Sequence, residues 1–279
     1  MNSLSRYLFI LIAVAVFQAG SLTVVGQVPT QRPAAAERGS QTAKGGFRNE
    51  NEIRDKFNNW RTDDDAKAWL RAMGHDPAAI ESVAAAKPHG DKADVVVTIK
   101  TSAGEFREGI SIKLVSGTNG FNQIDKRWLR QYAAMWKMPP DVVAAMRLYL
   151  GEDKPNGTSR RPERMFLNEL DLETQAKVIE FFVANKASII EDLLAGDGLN
   201  KAGWFMVALK SADRSQWTLR PMNEVIKFFG EGRVEMTRAG NLKLGRISMQ
   251  RKGGDGGRET AKMLQFKLNP AMLFEPEKR

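Results

Sequence analysis

The chain has 279 residues, 42% hydrophobic and 27% charged, an ordinary globular mixture with length for one large domain or two small ones. Lysine and arginine outnumber aspartate and glutamate by 42 to 33, and the net charge of +9 favours a polyanionic partner. There is no cysteine, which excludes disulfides and thiolate metal sites and leaves the compartment open.

The chain opens on an apolar run, Tyr7 to Phe17, behind a single Arg6. It reads as the h-region of a signal peptide and is too short to span a bilayer. The following stretch, VPTQRPAAAERGSQ, has the composition of a disordered linker. Two readings stand here: an exported protein, or a start codon assigned too far upstream.

After Gly45-Gly46, Phe47, Ile53, Phe57 and Trp60 recur near helical spacing, with Glu50 and Glu52 on the same helix. A second helix is expected from the cap-like Thr62-Asp63-Asp64-Asp65, carrying Ala66, Trp69, Leu70 and Met73 before Gly74 ends it. Ile80 to Ala86 reads as a short third helix, broken by Pro88-His89-Gly90. His75 and His89, the only histidines, sit in turn contexts and lack a partner that would make a metal site.

Asp94 to Lys100 predicts a strand, Thr101 to Gly104 a turn, and Glu105 to Val115 a second strand. An antiparallel hairpin with Lys100 opposite Glu105 sets Asp94 opposite Ser111, and facing residues point to the same side. Lys113 shares that side, while Val95, Val97, Ile99, Ile110, Ile112 and Leu114 form a core face. A carboxylate and an ammonium thus stand together on the polar face of an apolar hairpin. The chemistry suited to them is metal-dependent phosphodiester hydrolysis: Asp94 and the Ile112 carbonyl offer oxygen ligands to Mg²⁺, and Lys113 orients water or stabilises charge on phosphate. The alternative is a chance surface pair.

Next comes SGTNGFNQIDK, read as an exposed loop permitted by Gly117 and Gly120. Phe121 beside Asn122, Gln123 and Lys126 is either an apolar wedge among base-reading groups or an anchor that holds the loop to the core. Helices are expected over Trp128 to Trp136, from Asp141 through Leu150, and as two stretches within Leu172 to Leu194. The polar loop GEDKPNGTSRRPER between them carries Arg160, Arg161 and Arg164. Strands follow at Trp204 to Leu209, Trp217 to Leu219, Val234 to Thr237, Leu242 to Arg251 and Met263 to Leu268, with a helix at Asn223 to Phe229. In QRKGGDGGR, exposed backbone amides and Arg251, Lys252 and Arg258 suit phosphate or groove contact. Asp255 with Gln265-Phe266-Lys267 imitates the hairpin's acid-and-lysine pattern, but it lies in a glycine turn.

Asp94 followed by Ser111-Ile112-Lys113 resembles the PD-(D/E)XK nucleases, which place an acid on one strand and acid-x-Lys on the next. The departure is Ser111, where the pattern has an acid. Glu105 does not replace it, being six residues away, roughly 20 Å along a strand. The flanking stretches SIKLVSGTNGFNQIDKRWLRQYAAMWKMP and GRISMQRKGGDGGRETAKMLQFKLNP are similar to type II restriction endonucleases that cut GCGC, relatives of MspI, in which an amide is common at the middle position.

The resemblance runs from about Gly39 to Phe274. It implies one restriction-endonuclease-like α/β domain over residues 39–279, with a mixed central β-sheet flanked by helices. It implies Mg²⁺-dependent cleavage of double-stranded DNA at a short palindrome, with Asp94, Ser111 and Lys113 catalytic. The metal is expected on Asp94, Ile112 and Glu50, the last by its place in GFRNE. Phe121, Asn122, Gln123, Lys126, Arg251, Lys252 and Arg258 are expected on DNA. The implied genetic partner is a cognate DNA methyltransferase encoded nearby, and the implied location is cytoplasmic, with no stable membrane association. Ser111 keeps open a non-catalytic DNA-binding protein on a decayed nuclease fold. Residues 1–27 keep open an exported, non-specific nuclease.

Overall fold

Helices α1 (Ala34–Asn58) and α2 (Asp64–Ala72) come first in the computed structural model, which describes residues 34–211, 215–254 and 258–274. The apolar run at Tyr7 to Phe17 and the glycine-turn Asp255 lie outside the described residues. α1 begins well before the glycine pair expected to open it, because Ala34-Ala35-Ala36-Glu37 carries high helix propensity. It buries Ile53 and Phe57 in the same cluster as Ala66, Trp69 and Leu70 of α2. The Asp63 carboxylate caps α2, accepting from the Ala66 amide at 2.9 Å.

Ile80–Ala86 is a strand, β1, and not the expected third helix. Its alanines favour a helix, but the segment pairs antiparallel with β2 (Val95–Thr101), and that pairing overrides local propensity. β1 is a sheet edge. Asn58 of α1 meets its exposed backbone, accepting from the Ala85 N–H at 2.8 Å and donating to the Ala85 carbonyl at 3.1 Å.

β2 pairs antiparallel with β3 (Gly104–Val115) in the expected register, Lys100 opposite Glu105 and Val95 opposite Ile110. Val95, Val97, Ile99, Ile110 and Ile112 are buried against α1 and α2, whereas Leu114 is only half-buried. The segment read as a loop then forms β4 (Asn122–Arg127). Helices α3 (Leu129–Met135), α4 (Pro140–Leu150), α5 (Leu172–Ala184) and α6 (Lys186–Leu194) follow where periodicity placed them. After them come β5 (Trp204–Lys210), β6 (Ser215–Pro221) and α7 (Met222–Gly230). β5 lies parallel to β3, which makes the first sheet mixed, in the order β1-β2-β3-β5-β6. Its second face, with Phe205 and Val207, joins a larger core built with α3 to α7.

The late strands do not extend this sheet. β7 (Val234–Met236), β8 (Leu242–Leu244), β9 (Ile247–Arg251) and β10 (Leu264–Leu268) form a second, antiparallel sheet with β4 at its edge, in the order β4-β10-β9-β8-β7. The expected single strand from Leu242 to Arg251 is therefore a hairpin. It turns at Gly245, whose φ of 60° and 2.6 Å approach of a notional Cβ to the Glu231 carbonyl oxygen leave room only for glycine. The described residues form one compact α/β unit.

Candidate active site

Pairing between β2 and β3 ends at Val95, and Asp94 sits one residue beyond, its amide donating to the Ile110 carbonyl at 2.8 Å. Its carboxylate crosses to the facing strand as the register requires. Oδ2 accepts from the Ile112 N–H at 2.6 Å and from Ser111 Oγ at 3.4 Å. A strand residue aims its N–H and C=O toward the same side, so the Ile112 carbonyl also opens toward Asp94. Lys113 Nζ donates to that carbonyl at 3.0 Å and stands 3.6 Å from Asp94 Oδ2.

The Lys113 ammonium therefore lies between two hard oxygen donors, a carboxylate and a main-chain carbonyl. Those are donors a divalent cation of the Mg²⁺ class takes, and they already attract positive charge. The protein donor set is sparse, because no group of three or more Asp, Glu or His that could hold a metal gathers among the described residues. Glu50, the expected third ligand, does not line this cleft. Its carboxylate forms an ion pair with Lys87 at 2.8 Å.

Asp94, Ser111 and Lys113 open onto a cleft of about 320 Å³ that is also lined by Gln123 and Lys126 of β4. In a regular strand, residues 123 and 126 face opposite ways. A bulge at Ile124 corrects this, since Gln123 pairs with Lys267, Asp125 with Phe266 and Lys126 with Gln265. Lys267 and Gln265 share one face of β10, so Gln123 and Lys126 do too. The same rows continue to Ser248 and Gln250 on β9. A row of polar side chains results, and Gln265 and Lys267, considered in the sequence only as a false catalytic pattern, belong to it, Lys267 half-buried and Gln265 buried with its amide donating to the Lys252 carbonyl.

The other expected DNA contacts divide. Phe121 is 60% exposed just ahead of β4, which removes the core-anchor reading. Asn122 donates its amide to the Leu114 carbonyl at 2.9 Å and so ties β4 to β3. Arg251 donates through Nε to the Leu150 carbonyl at 2.8 Å, at the end of α4. The Lys252 amide bonds to the Met263 carbonyl at 2.8 Å, and Arg258 is exposed. None of the last three lines the cleft.

One group of cleft residues escaped the sequence altogether. Asp125 is 9% exposed and pairs with Lys92 at 2.7 Å and Arg127 at 3.2 Å, while Tyr132 donates its hydroxyl to it at 2.5 Å. Burial pushes the Lys92 ammonium below its usual range, although Asp125 opposes the shift. Burial and the neighbouring Asp125 push the Tyr132 phenol far up. Arg127 reaches on to Asp192 at 3.9 Å, and Asp192 accepts from Trp136 Nε1 at 3.1 Å.

The family model of the R.HinP1I restriction endonuclease matches residues 73–274, well over half of the chain and the whole of this site. The chain belongs to the R.HinP1I restriction endonuclease family. It is a type II site-specific deoxyribonuclease. The fold of this R.HinP1I-family enzyme is similar to that of restriction endonuclease MspI, solved in complex with its cognate DNA. That match has a TM-score of 0.58 and covers 85% of this chain and 94% of the other. At 13% identity it is a likeness of fold. No curated protein sequence matches the chain.

Proposed function

We propose that this enzyme hydrolyses a phosphodiester bond of double-stranded DNA at the palindrome GCGC in a Mg²⁺-dependent reaction centred on Asp94 and Lys113. The observation that carries this reading is the cleft itself. The Lys113 ammonium bridges the Asp94 and Ile112 oxygens, and the same cleft is lined by Gln123 and Lys126.

Asp94 and the Ile112 carbonyl would hold the ion, with water completing its shell. Bound there, Mg²⁺ supplies Lewis-acid polarisation of the phosphate and a more acidic water. Asp94 is kept in place by the Ile112 amide and Ser111 hydroxyl, so Ser111 positions the carboxylate that a second acid would otherwise accompany. Lys113 orients the attacking water or stabilises charge on the phosphate oxygens. Glu50 is given no metal role, because Lys87 holds its carboxylate. Gln123 and Lys126 read base edges, with Lys267 alongside Gln123, and Phe121 wedges a base step. Arg258 belongs to the phosphate contacts, which act on all sequences alike.

Digestion of plasmid DNA tests this directly. Discrete fragments ending at GCGC with Mg²⁺, and none with EDTA, are the expected result. A smear would instead favour a non-specific nuclease, and no cleavage a decayed one. A methyltransferase encoded nearby would make host DNA resistant, and the working location is the cytoplasm. Residues 1–33 then contribute nothing to the reaction, and a variant beginning at Ala34, where α1 starts, is expected to cleave like the full chain.

A further inference from the structure

We propose that the Lys92–Asp125 ion pair links base recognition on β4 to the position of Asp94, a reading that rests on the cleavage site proposed above. β4 belongs to the second sheet and Asp94 to the start of a strand in the first. Asp125 stands between Gln123 and Lys126 on β4, but it pairs with Phe266 and so points inward, away from the polar row. Any shift of β4 that seats those two side chains on base edges moves the Asp125 carboxylate.

The receiving end is Lys92, two residues before Asp94. Its ammonium holds Asp125 Oδ2 at 2.7 Å and also donates to the carbonyl of the bulged Ile124 at 3.1 Å. One side chain therefore grips β4 at the two residues where its register shifts. The Lys92 stem has little freedom to absorb such a shift. It lies beneath Gly196, a left-handed residue at φ 67° where a Cβ would come within 2.7 Å of the Lys92 Cβ. Ala93, buried between Lys92 and Asp94, is fixed through its amide to the Asn200 carbonyl at 3.1 Å. With Ala93 held, a displacement of Lys92 turns the chain about that point and swings the Asp94 carboxylate on its other side.

A buried ion pair is a poor device for stability, since apolar replacements of both partners are often neutral or better. Its presence here fits a positioning role: Lys92 and Asp125 line the cleft, but the ammonium and the carboxylate are engaged with each other and with the Ile124 carbonyl of β4. A displacement of about 1 Å at a reacting group costs on the order of 10²-fold in rate, so a loose link is enough to suppress cleavage at wrong sites.

The test compares Asp125→Asn, Lys92→Met and the double variant on the site that the wild-type enzyme cuts and on duplexes altered at one base. Single-turnover cleavage of the cognate site is expected to fall about 10–100-fold in each variant, while affinity for that duplex, measured with Ca²⁺ in place of Mg²⁺, holds. The ratio of cognate to altered-site cleavage is expected to narrow. The double variant leaves neither a buried ammonium facing an amide nor a buried carboxylate without its lysine, and Arg127 keeps Asp192, so its melting temperature recovers relative to the single variants. Its cognate rate and its site preference are expected to stay lost. Recovery of rate and preference together with stability would show a purely structural pair and overturn the proposal. Wild-type rate and preference in Asp125→Asn would also overturn it. Those failures leave Asp94→Asn inactive; a cleaving Asp94→Asn enzyme would instead sink the catalytic site on which the proposal rests.

Discussion

Replacing Phe121 with alanine separates a DNA wedge from a packing residue. A fully buried Phe→Ala change costs about 3–5 kcal/mol, through lost transfer energy and the cavity left behind. Phe121 is 60% exposed, so only some two-fifths of its surface is withdrawn from water. Scaling the cost by that share gives about 1–2 kcal/mol. In a domain of this size each kcal/mol moves the melting temperature by about 2–4 °C, so the expected drop is roughly 2–8 °C. The effect on DNA should be larger, because inserting an apolar side chain offsets the unstacking of a base step and no neighbouring residue replaces it. Melting and the bend angle of a fluorophore-labelled cognate duplex are measured on the same preparation. The account expects a small loss of stability with a clear loss of bending and cleavage. A drop well beyond about 10 °C, with normal bending by the protein that stays folded, would refute it.

Lys113→Ala should slow single-turnover cleavage by about 10²–10³-fold, the loss typical of one electrostatic stabiliser, while DNA binding persists in a filter assay. Gln123→Ala should cost about 1–3 kcal/mol of discrimination at one base position, visible as relaxed cleavage of duplexes altered there. Asn49, 2% exposed on α1 with neither amide atom hydrogen-bonded, should stabilise the fold by about 1–3 kcal/mol when changed to leucine, as urea unfolding would register. Glu169 bears on acid stability. Burial pushes its carboxyl up, but bonds from the Phe166 and Arg160 amides, the Arg160 side chain and Ser159 outweigh this and hold it at about 2, below its ordinary 4.5. Its folded pKa is depressed, so its contribution is full above pH 4.5 and disappears as pH falls toward about 2. Glu169→Gln should flatten unfolding stability across that window, and an unchanged slope would reject the assignment.

What could be read in advance was whatever the local chain determines. The hairpin from Asp94 to Val115 has a short turn and an apolar set repeating every second residue, and a one-residue slip would have turned Val95, Val97 and Ile99 away from the helices that cover them. Its register alone brings Asp94 to Ser111. The errors lie where distant pairing decides. Ile80–Ala86 carries the residues of a helix and becomes a strand because β2 offers it an edge. The late strands look like additions to one sheet, yet β10 pairs with β4 and β9 and closes a second sheet. β4 itself was hidden by its bulge at Ile124, which breaks the alternation that marks a strand. Lys92 and Asp125 stand 33 residues apart on different layers, and neither shows a pattern in its own neighbourhood. Glu50 is a different case. Its place in the sequence pointed to the metal, while its carboxylate turned to Lys87.

If Asp94 is the carboxylate on which cleavage depends, Asp94→Asn is the change that exposes it. The amide oxygen can still accept the Ile112 N–H that Asp94 now accepts at 2.6 Å, so strand geometry is kept while the charge is removed. The measurement is single-turnover cleavage of a GCGC duplex with Mg²⁺, alongside binding of the same duplex with Ca²⁺. The account predicts binding close to wild type and no detectable cleavage; cleavage at a near-normal rate would contradict it.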